Sequence, residues 1–272
     1  MFLRRSMTCL TAFALFLSCS ETEEEKDEDR ASETGTNSGQ TTNLPPVAAG
    51  SFSDRFDGTG VLESYTTNKP EALPDVQRYD GRYRANLTDN SNDVTLHYNE
   101  DQGRLDAKAV SFPFDVIARN VGIGTQADSQ VAPAPDGNPY LFAGIQVHVT
   151  SLESANSSHV VVGHRGGTHF TIEGKNTVDG SSSVNDAGAN IVPAGRADIR
   201  IVGNADKTLT VYWQVPNIDG AGEDAWQLYN GDGNLPGQTP QYGETVYVGL
   251  ITYAFGIRGV PFVGTCDALE GG

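Results

Sequence analysis

The stretch from Leu141 to Lys175 constrains the fold more than any other part of the chain. Leu141 to Thr150 alternates Ile145, Val147 and Val149 with Gln146, His148 and Thr150, the two-residue period of a strand with one core face and one polar face. His159 to Arg165 and Thr168 to Glu173 read as two further strands, joined by Gly166 and Gly167, which can take positive φ at both positions of a two-residue hairpin turn. That turn predicts Arg165 opposite Thr168, His164 opposite His169, Gly163 opposite Phe170, Val161 opposite Ile172 and Val160 opposite Glu173. The polar face of the three strands then carries Gln146, His148, His164, His169, Thr171 and Glu173, with three of the five histidines of the chain.

The chain opens with Arg4 and Arg5 before an apolar run, Met7 to Leu17, far short of the ~20 residues that a membrane-spanning helix needs. Residues 1–18 read as a secretory signal peptide. Phe16, Leu17, Ser18 and Cys19 resemble the lipobox of bacterial lipoproteins, with Phe16 where that motif usually has Leu. The resemblance implies acylation of Cys19 and a place in the bacterial cell envelope, at the outer membrane; the alternative is an ordinary signal peptide that contains a cysteine. Cleavage and acylation would leave Cys266 as the one free thiol, so no intrachain disulfide could form and stability must come from packing. The several acyl chains of a lipoprotein exceed the single chain that anchors only marginally.

Residues 19–50 follow as an acidic tether. Seven carboxylates between Glu21 and Asp29, then Glu33, precede Ser, Thr, Gly, Asn and Pro with almost nothing to bury, the composition of a disordered, self-repelling linker. As a flexible coil it would span ~30 Å, and stretched ~100 Å. Its acidic start resembles the tethers that carry some lipoproteins to the cell surface; a solvated spacer explains it equally well.

Eight of the 35 acidic and four of the 18 basic side chains precede residue 51, which leaves residues 51–272 with 27 and 14 and a net charge of −13. Such a body is a poor partner for nucleic acid, and its membrane contact is expected through the lipid anchor alone. Gly and Pro punctuate it every ten residues or so, and no window holds a long amphipathic helix. One large all-β domain, a sandwich or barrel, is predicted. Strands are expected at Val94 to Tyr98, Val110 to Ala118, Val121 to Gly124, Asp198 to Val202, Leu209 to Val215 and Val246 to Phe255. The last is apolar on both faces and should run through the centre of a two-layer structure. Pro216 to Tyr242 is a long excursion holding Trp226 and Tyr229, and loops of that length are commonly functional.

Four segments, Phe52 to Gly58 (FSDRFDG), Phe142 to Val149 (FAGIQVHV), Ala197 to Trp213 (ADIRIVGNADKTLTVYW) and Tyr247 to Phe255 (YVGLITYAF), resemble in order the concanavalin A-like lectin and glucanase superfamily. The likeness runs from about Phe52 to Cys266, although Val260 to Cys266 departs from the usual last strand. It implies a jelly-roll sandwich of two antiparallel sheets whose concave face often receives carbohydrate. The polar face above would correspond to that concave face.

Glycan recognition needs planar polar groups for vicinal hydroxyls and aromatic rings for the apolar sugar faces. Gln146, His148, His164, His169, Glu173, Arg200 and Gln214 supply the first and Tyr212, Trp226 and Tyr229 the second, so a polysaccharide or surface glycan is the expected partner. Noncatalytic binding is the leading reading. Hydrolysis needs a pair of carboxylates ~5 to 10 Å apart, and Glu173 has only Asp198 as a nearby candidate partner. The glucanase acid-x-acid-x-x-acid strand is absent from residues 51–272. Gln146, Val147 and His148 resemble the Gln-Ile-His strand of alginate lyases, and Tyr247 and Tyr253 have the separation of two tyrosines in their last strand, but the lysine between those tyrosines is missing. A polysaccharide lyase or glycosidase therefore stays as the alternative, beside an interaction module with no sugar site. No cofactor is expected, but oxygen-rich stretches at Asp54 and Asp57, Asp89 to Asp93 or Asn230 to Asn234 could hold a structural calcium ion.

Overall fold

The computed structural model describes residues 44, 50–87, 104–126, 140–166, 169–192, 194–216, 225–255 and 262–272. The expected strand at Val94 to Tyr98 and the loop Asp89 to Asp93 lie outside the described residues, as does the whole of residues 1–43 with the expected leader and Cys19. The strands are β1 (Thr59–Gly60), β2 (Thr66–Asn68), β3 (Val76–Tyr79), β4 (Tyr83–Asn86), β5 (Arg104–Ser111), β6 (Phe114–Gly124), β7 (Tyr140–Val149) and β8 (Ser157–Arg165). They continue with β9 (His169–Val178), β10 (Ser181–Asp186), β11 (Arg196–Gly203), β12 (Leu209–Gln214), β13 (Gln227–Leu228), β14 (Thr245–Phe255), β15 (Val263–Cys266) and β16 (Ala268–Gly271). The described helices are two three-residue 3-10 turns, Pro70–Ala72 and Tyr229–Gly231, and neither is long enough to cross a membrane.

The strands form two antiparallel sheets. One has nine strands in the order β1-β3-β4-β15-β6-β11-β12-β13, with β16 also paired to β6; the other has seven in the order β10-β9-β8-β7-β14-β5-β2. Strand β14 lies inside the second sheet between β7 and β5, which is why both of its faces are apolar. Strand β6 packs against β7 and β8, and β11 against β8, which puts the core between the sheets. Ile145, Val147, Val160, Val162, Ile172, Val246 and Val248 from one sheet, and Val116, Ala118, Ile199, Ile201 and Val211 from the other, are fully buried there. Polar links also cross this layer: the buried Asp106 of β5 accepts from Tyr83 of β4 at 3.2 Å, with Arg104 Nε at 3.0 Å and Thr67 at 2.7 Å holding the rest of the carboxylate.

Two expected elements are corrected. Val110 to Ala118 is two strands, because the chain turns at Phe112 and Pro113 and passes from the seven-stranded sheet into the nine-stranded one; proline cannot donate to a ladder. The expected Val121 to Gly124 strand is the end of the same long β6. The β8–β9 register also differs: Arg165 pairs with His169, His164 with Phe170, Gly163 with Thr171, Val162 with Ile172, Val161 with Glu173 and Val160 with Gly174. Three residues, 166 to 168, separate the paired positions where two were expected. A one-residue slip exchanges the two faces of one strand relative to the other.

Candidate functional site

The slip decides which side chains meet. Directly paired residues share a face. Gln146 pairs with His159, and His159 with Lys175, so these three form one transverse row on the outer face of the seven-stranded sheet. His148 pairs with Ser157, and Ser157 with Thr177, in the row on one side. On the other side Val161, Glu173 and Asp186 follow one another across β8, β9 and β10. Arg165 and His169 make the row at the end of β8.

Of the residues expected on this face, Gln146, His148, His169 and Glu173 are there. His164 is not: its pairing with Leu141 and Phe170 puts it on the core face, fully buried, with its ring 4.8 Å from that of Phe170. Its place is taken by His159 and Lys175, which the sequence reading did not select. The Val160 to Val162 run is apolar at every position and gives no alternation to read, and Gly174, Lys175 and Asn176 look like a strand end. Gly174 is instead needed for packing, since a Cβ there would lie 2.7 Å from the Tyr229 ring and 2.6 Å from Leu235.

Glu173 is the hub of the face. It accepts from Arg165 Nη1 at Oε2 and from the Tyr253 hydroxyl at Oε1, 3.0 Å away. Arg165 Nε also lies 3.1 Å from Asp186, which stands opposite Glu173 on β10, so the two carboxylates share one guanidinium. Asp198, the partner considered from sequence, belongs to the other sheet, bound by Arg119 at 3.0 Å and Gln214 at 2.9 Å. Burial raises the proton affinity of Glu173, against the pull of Arg165, the Tyr253 hydrogen bond and Lys175. Burial also pushes the Lys175 amine down to about 8, with Glu173 holding it up. His159 is held well below its usual range by burial first and by Lys175 second, so it is neutral at pH 7. The Tyr253 ring lies 5.7 Å from the His159 ring and 5.3 Å from Phe142.

The row is incomplete. Gln146 is 2% exposed and His159 0%, yet Gln146 Oε1 and both ring nitrogens of His159 have no hydrogen-bond partner. Buried groups left so cost about 1–3 kcal/mol each. One amide acceptor and one neutral imidazole, which offers a donor and an acceptor, thus stand side by side with the Lys175 ammonium next in line.

Arg200, Tyr212, Gln214 and Trp226 lie away from this row. Arg200 pairs with Tyr212 on β11 and β12, and Tyr212 with Leu228 on β13, in the nine-stranded sheet. The Arg200 guanidinium binds Asp115, with Nε at 2.8 Å. Trp226 is buried under two guanidiniums, its ring 5.7 Å from Arg119 and 5.9 Å from Arg200. Tyr229 is fully buried and donates to the Asn185 side chain at 2.8 Å. The long excursion therefore buries its two rings in different places, Trp226 against Arg119 and Arg200 of the nine-stranded sheet and Tyr229 in the core beside Gly174, and its residues 217–224 lie outside the described ones. Asp54 accepts from the Phe56 amide at 2.8 Å and the Tyr65 hydroxyl at 3.1 Å, with Lys108 and Arg78 nearby, and no group of three or more potential metal ligands occurs among the described residues.

No protein-family model matches the chain, and no curated protein matches it. Solved structures do. The GH43 protein BlXynB of Bacillus licheniformis superposes with a TM-score of 0.54 at 15% identity, over 84% of this chain and 40% of that one. A functionally unknown protein of Saccharomyces cerevisiae gives 0.49 at 14% identity over 78% of this chain and 99% of that one, and the basic winged bean lectin 0.47 at 12% over 81% and 96%. Of these three, the first passes 0.5, and this chain spans two fifths of its length, so what is shared is fold. The expected concanavalin A-like jelly-roll sandwich of two antiparallel sheets is the fold this chain has.

Proposed function

We propose that the protein is a lipid-anchored envelope protein whose sandwich binds a polysaccharide noncatalytically on the outer face of the seven-stranded sheet. The observation that carries this reading is the unsatisfied set on Gln146 and His159. A hydroxyl both donates and accepts, so two vicinal hydroxyls could serve Gln146 Oε1 and both nitrogens of His159, with Lys175 beside them. The fold, which occurs in glycosidases and a lectin, is compatible with that use. Binding is preferred to hydrolysis because Glu173 and Asp186 are both tied to Arg165, and neither is free to cycle a proton.

The test is titration of a panel of polysaccharides into the protein, with calcium and again with a chelator. His159→Ala and Gln146→Ala should each weaken binding about tenfold, the value of one to two hydrogen bonds. Unchanged affinity in both variants, or a panel with no binder, would sink the proposal. Unsaturated or shortened products would replace binding by lyase or hydrolase action. Because the row is nearly closed to solvent, occupation needs an opening step, and association should fall below ~10⁵ M⁻¹s⁻¹. The anchor rests on the lipobox-like run ending at Cys19, with the acidic tether carrying the domain to the cell surface. Cys19→Ala should move the protein from the outer-membrane fraction to the soluble one, and protease added to intact cells should remove the wild-type domain.

A further inference from the structure

Among the described residues, the fixed charges that face the unsatisfied row cancel. Arg165 binds Glu173 and Asp186 together, and among the described residues the carboxylate that compensates Lys175 is the same Glu173. The described permanently charged groups on the outer face of β8, β9 and β10 are thus two cations and two anions, with His159 neutral between them and the His169 ring at the far end, 3.8 Å from Asp186. Among these described groups a ligand carboxylate would meet no uncompensated fixed cation. It would also bring acceptors only, and the row asks for donors as well: Gln146 Oε1 and one nitrogen of His159 both need a hydrogen. At longer range, residues 51–272 carry a net charge of −13, a field that repels polyanions and slows their encounter.

We propose that the Gln146, His159 and Lys175 row selects neutral, hydroxyl-presenting sugar units and rejects uronate-bearing ones, with Glu173 and Asp186 as the residues that set this preference. The inference rests on the reading of this face as a glycan site. Two carboxylates on one arginine serve as the discriminating device: they hold the local charge at zero, and a substrate carboxylate placed there would carry it to minus one in a nearly water-free layer.

The experiment uses the full-length chain and two matched series of hexasaccharides: neutral ones (xylo-, cello- and manno-) and acidic ones (mannuronate and galacturonate), at 50 and 300 mM salt. Neutral ligands should bind at least tenfold more tightly at 50 mM, and the gap should narrow at 300 mM as the long-range part is screened. Glu173→Gln and Asp186→Asn each remove one negative charge and should cut the preference to threefold or less, by improving acidic binding. Asp186→Asn, on the edge strand β10, serves if Glu173→Gln does not fold. Acidic ligands binding as well as neutral ones would overturn the selectivity and leave the glycan reading intact. An unaltered preference in a folded Asp186→Asn or Glu173→Gln would overturn the role of the two carboxylates. Binding of neither series would overturn the glycan site and this inference with it.

Discussion

Glu173 and Asp186 stand opposite each other on β9 and β10 and share one guanidinium, that of Arg165, which donates from Nη1 to Glu173 and lies 3.1 Å from Asp186 through Nε. The Glu173 end is almost fully buried and the Arg165 and Asp186 end partly open, so the ion pair is anchored in the sheet and reaches toward solvent. Arg165→Met should therefore leave a buried carboxylate beside a second one. A loss of about 2–3 kcal/mol is expected, below the full cost of a wholly buried pair because Arg165 is a quarter exposed. Burial already raises the proton affinity of Glu173, and removing Arg165 raises it further, so the loss should be smaller at pH 5 than at pH 8. Urea unfolding at the two pH values checks this, and an equal loss at both would contradict it.

Lys175 makes a prediction of opposite sign. Burial lowers its amine from 10.5 to about 8. Between those values the unfolded chain holds a proton that the folded chain has released, so this residue's contribution to stability rises with pH across the window. The wild type should gain about 2–3 kcal/mol on a Lys175→Met variant between pH 7 and pH 10. Unfolding midpoints at pH 7, 8.5 and 10 would show two converging or crossing curves. Parallel curves would mean that the amine titrates near its ordinary value.

Gly144 tests the geometry of the sheet itself. It sits in mid-strand on β7, where a Cβ would come within 2.1 Å of the Val160 carbonyl oxygen and 2.5 Å of the Val161 Cα. Those are backbone atoms and cannot swing aside, so Gly144→Ala must push β7 and β8 apart. The expected cost is about 3 kcal/mol, at the upper end for overpacking. Gly243→Ala, whose Cβ would meet nothing closer than 3.7 Å, should change stability by roughly 0.5 kcal/mol or less. Thermal unfolding of the two variants against wild type is the measurement.

Strand existence was largely legible in the sequence, and register was not. The alternation in Leu209 to Gln214 marks a real strand with a more buried and a less buried face. That in Leu141 to Thr150 marks a real strand whose polar side chains share one face although both faces are buried, and the doubly apolar β14 marks the sheet interior. The β8 strand has neither signal. Ser157, Ser158, His159 and His164 are as buried as the three valines between them, so polarity does not report facing there. The diglycine suggested a tight turn, yet the paired positions stand one residue further apart than it requires, and that one residue moved His164 inward and brought His159 into the row. Spatial grouping was legible only within a hairpin: Arg200, Tyr212, Gln214 and Trp226 have the right chemistry for a sugar site, but the crossovers between sheets put them on the other layer.

Trp226 separates the two layers experimentally. It is 1% exposed and roofed by Arg119 and Arg200, which also bind Asp198, Glu270 and Asp115. Trp226→Ala should cost about 3–5 kcal/mol through lost packing and the loss of both cation–π contacts. Trp226→Phe keeps an aromatic face beneath the two guanidiniums and should retain most of the fold. If the glycan site is the Gln146, His159 and Lys175 row, folded Trp226→Phe and Tyr212→Phe proteins should bind the glycan within twofold of wild type, while His159→Ala loses about tenfold. A tenfold loss in Tyr212→Phe with His159→Ala unaffected would transfer the site to the nine-stranded sheet, where Arg200 and Asp115 would become the groups to examine.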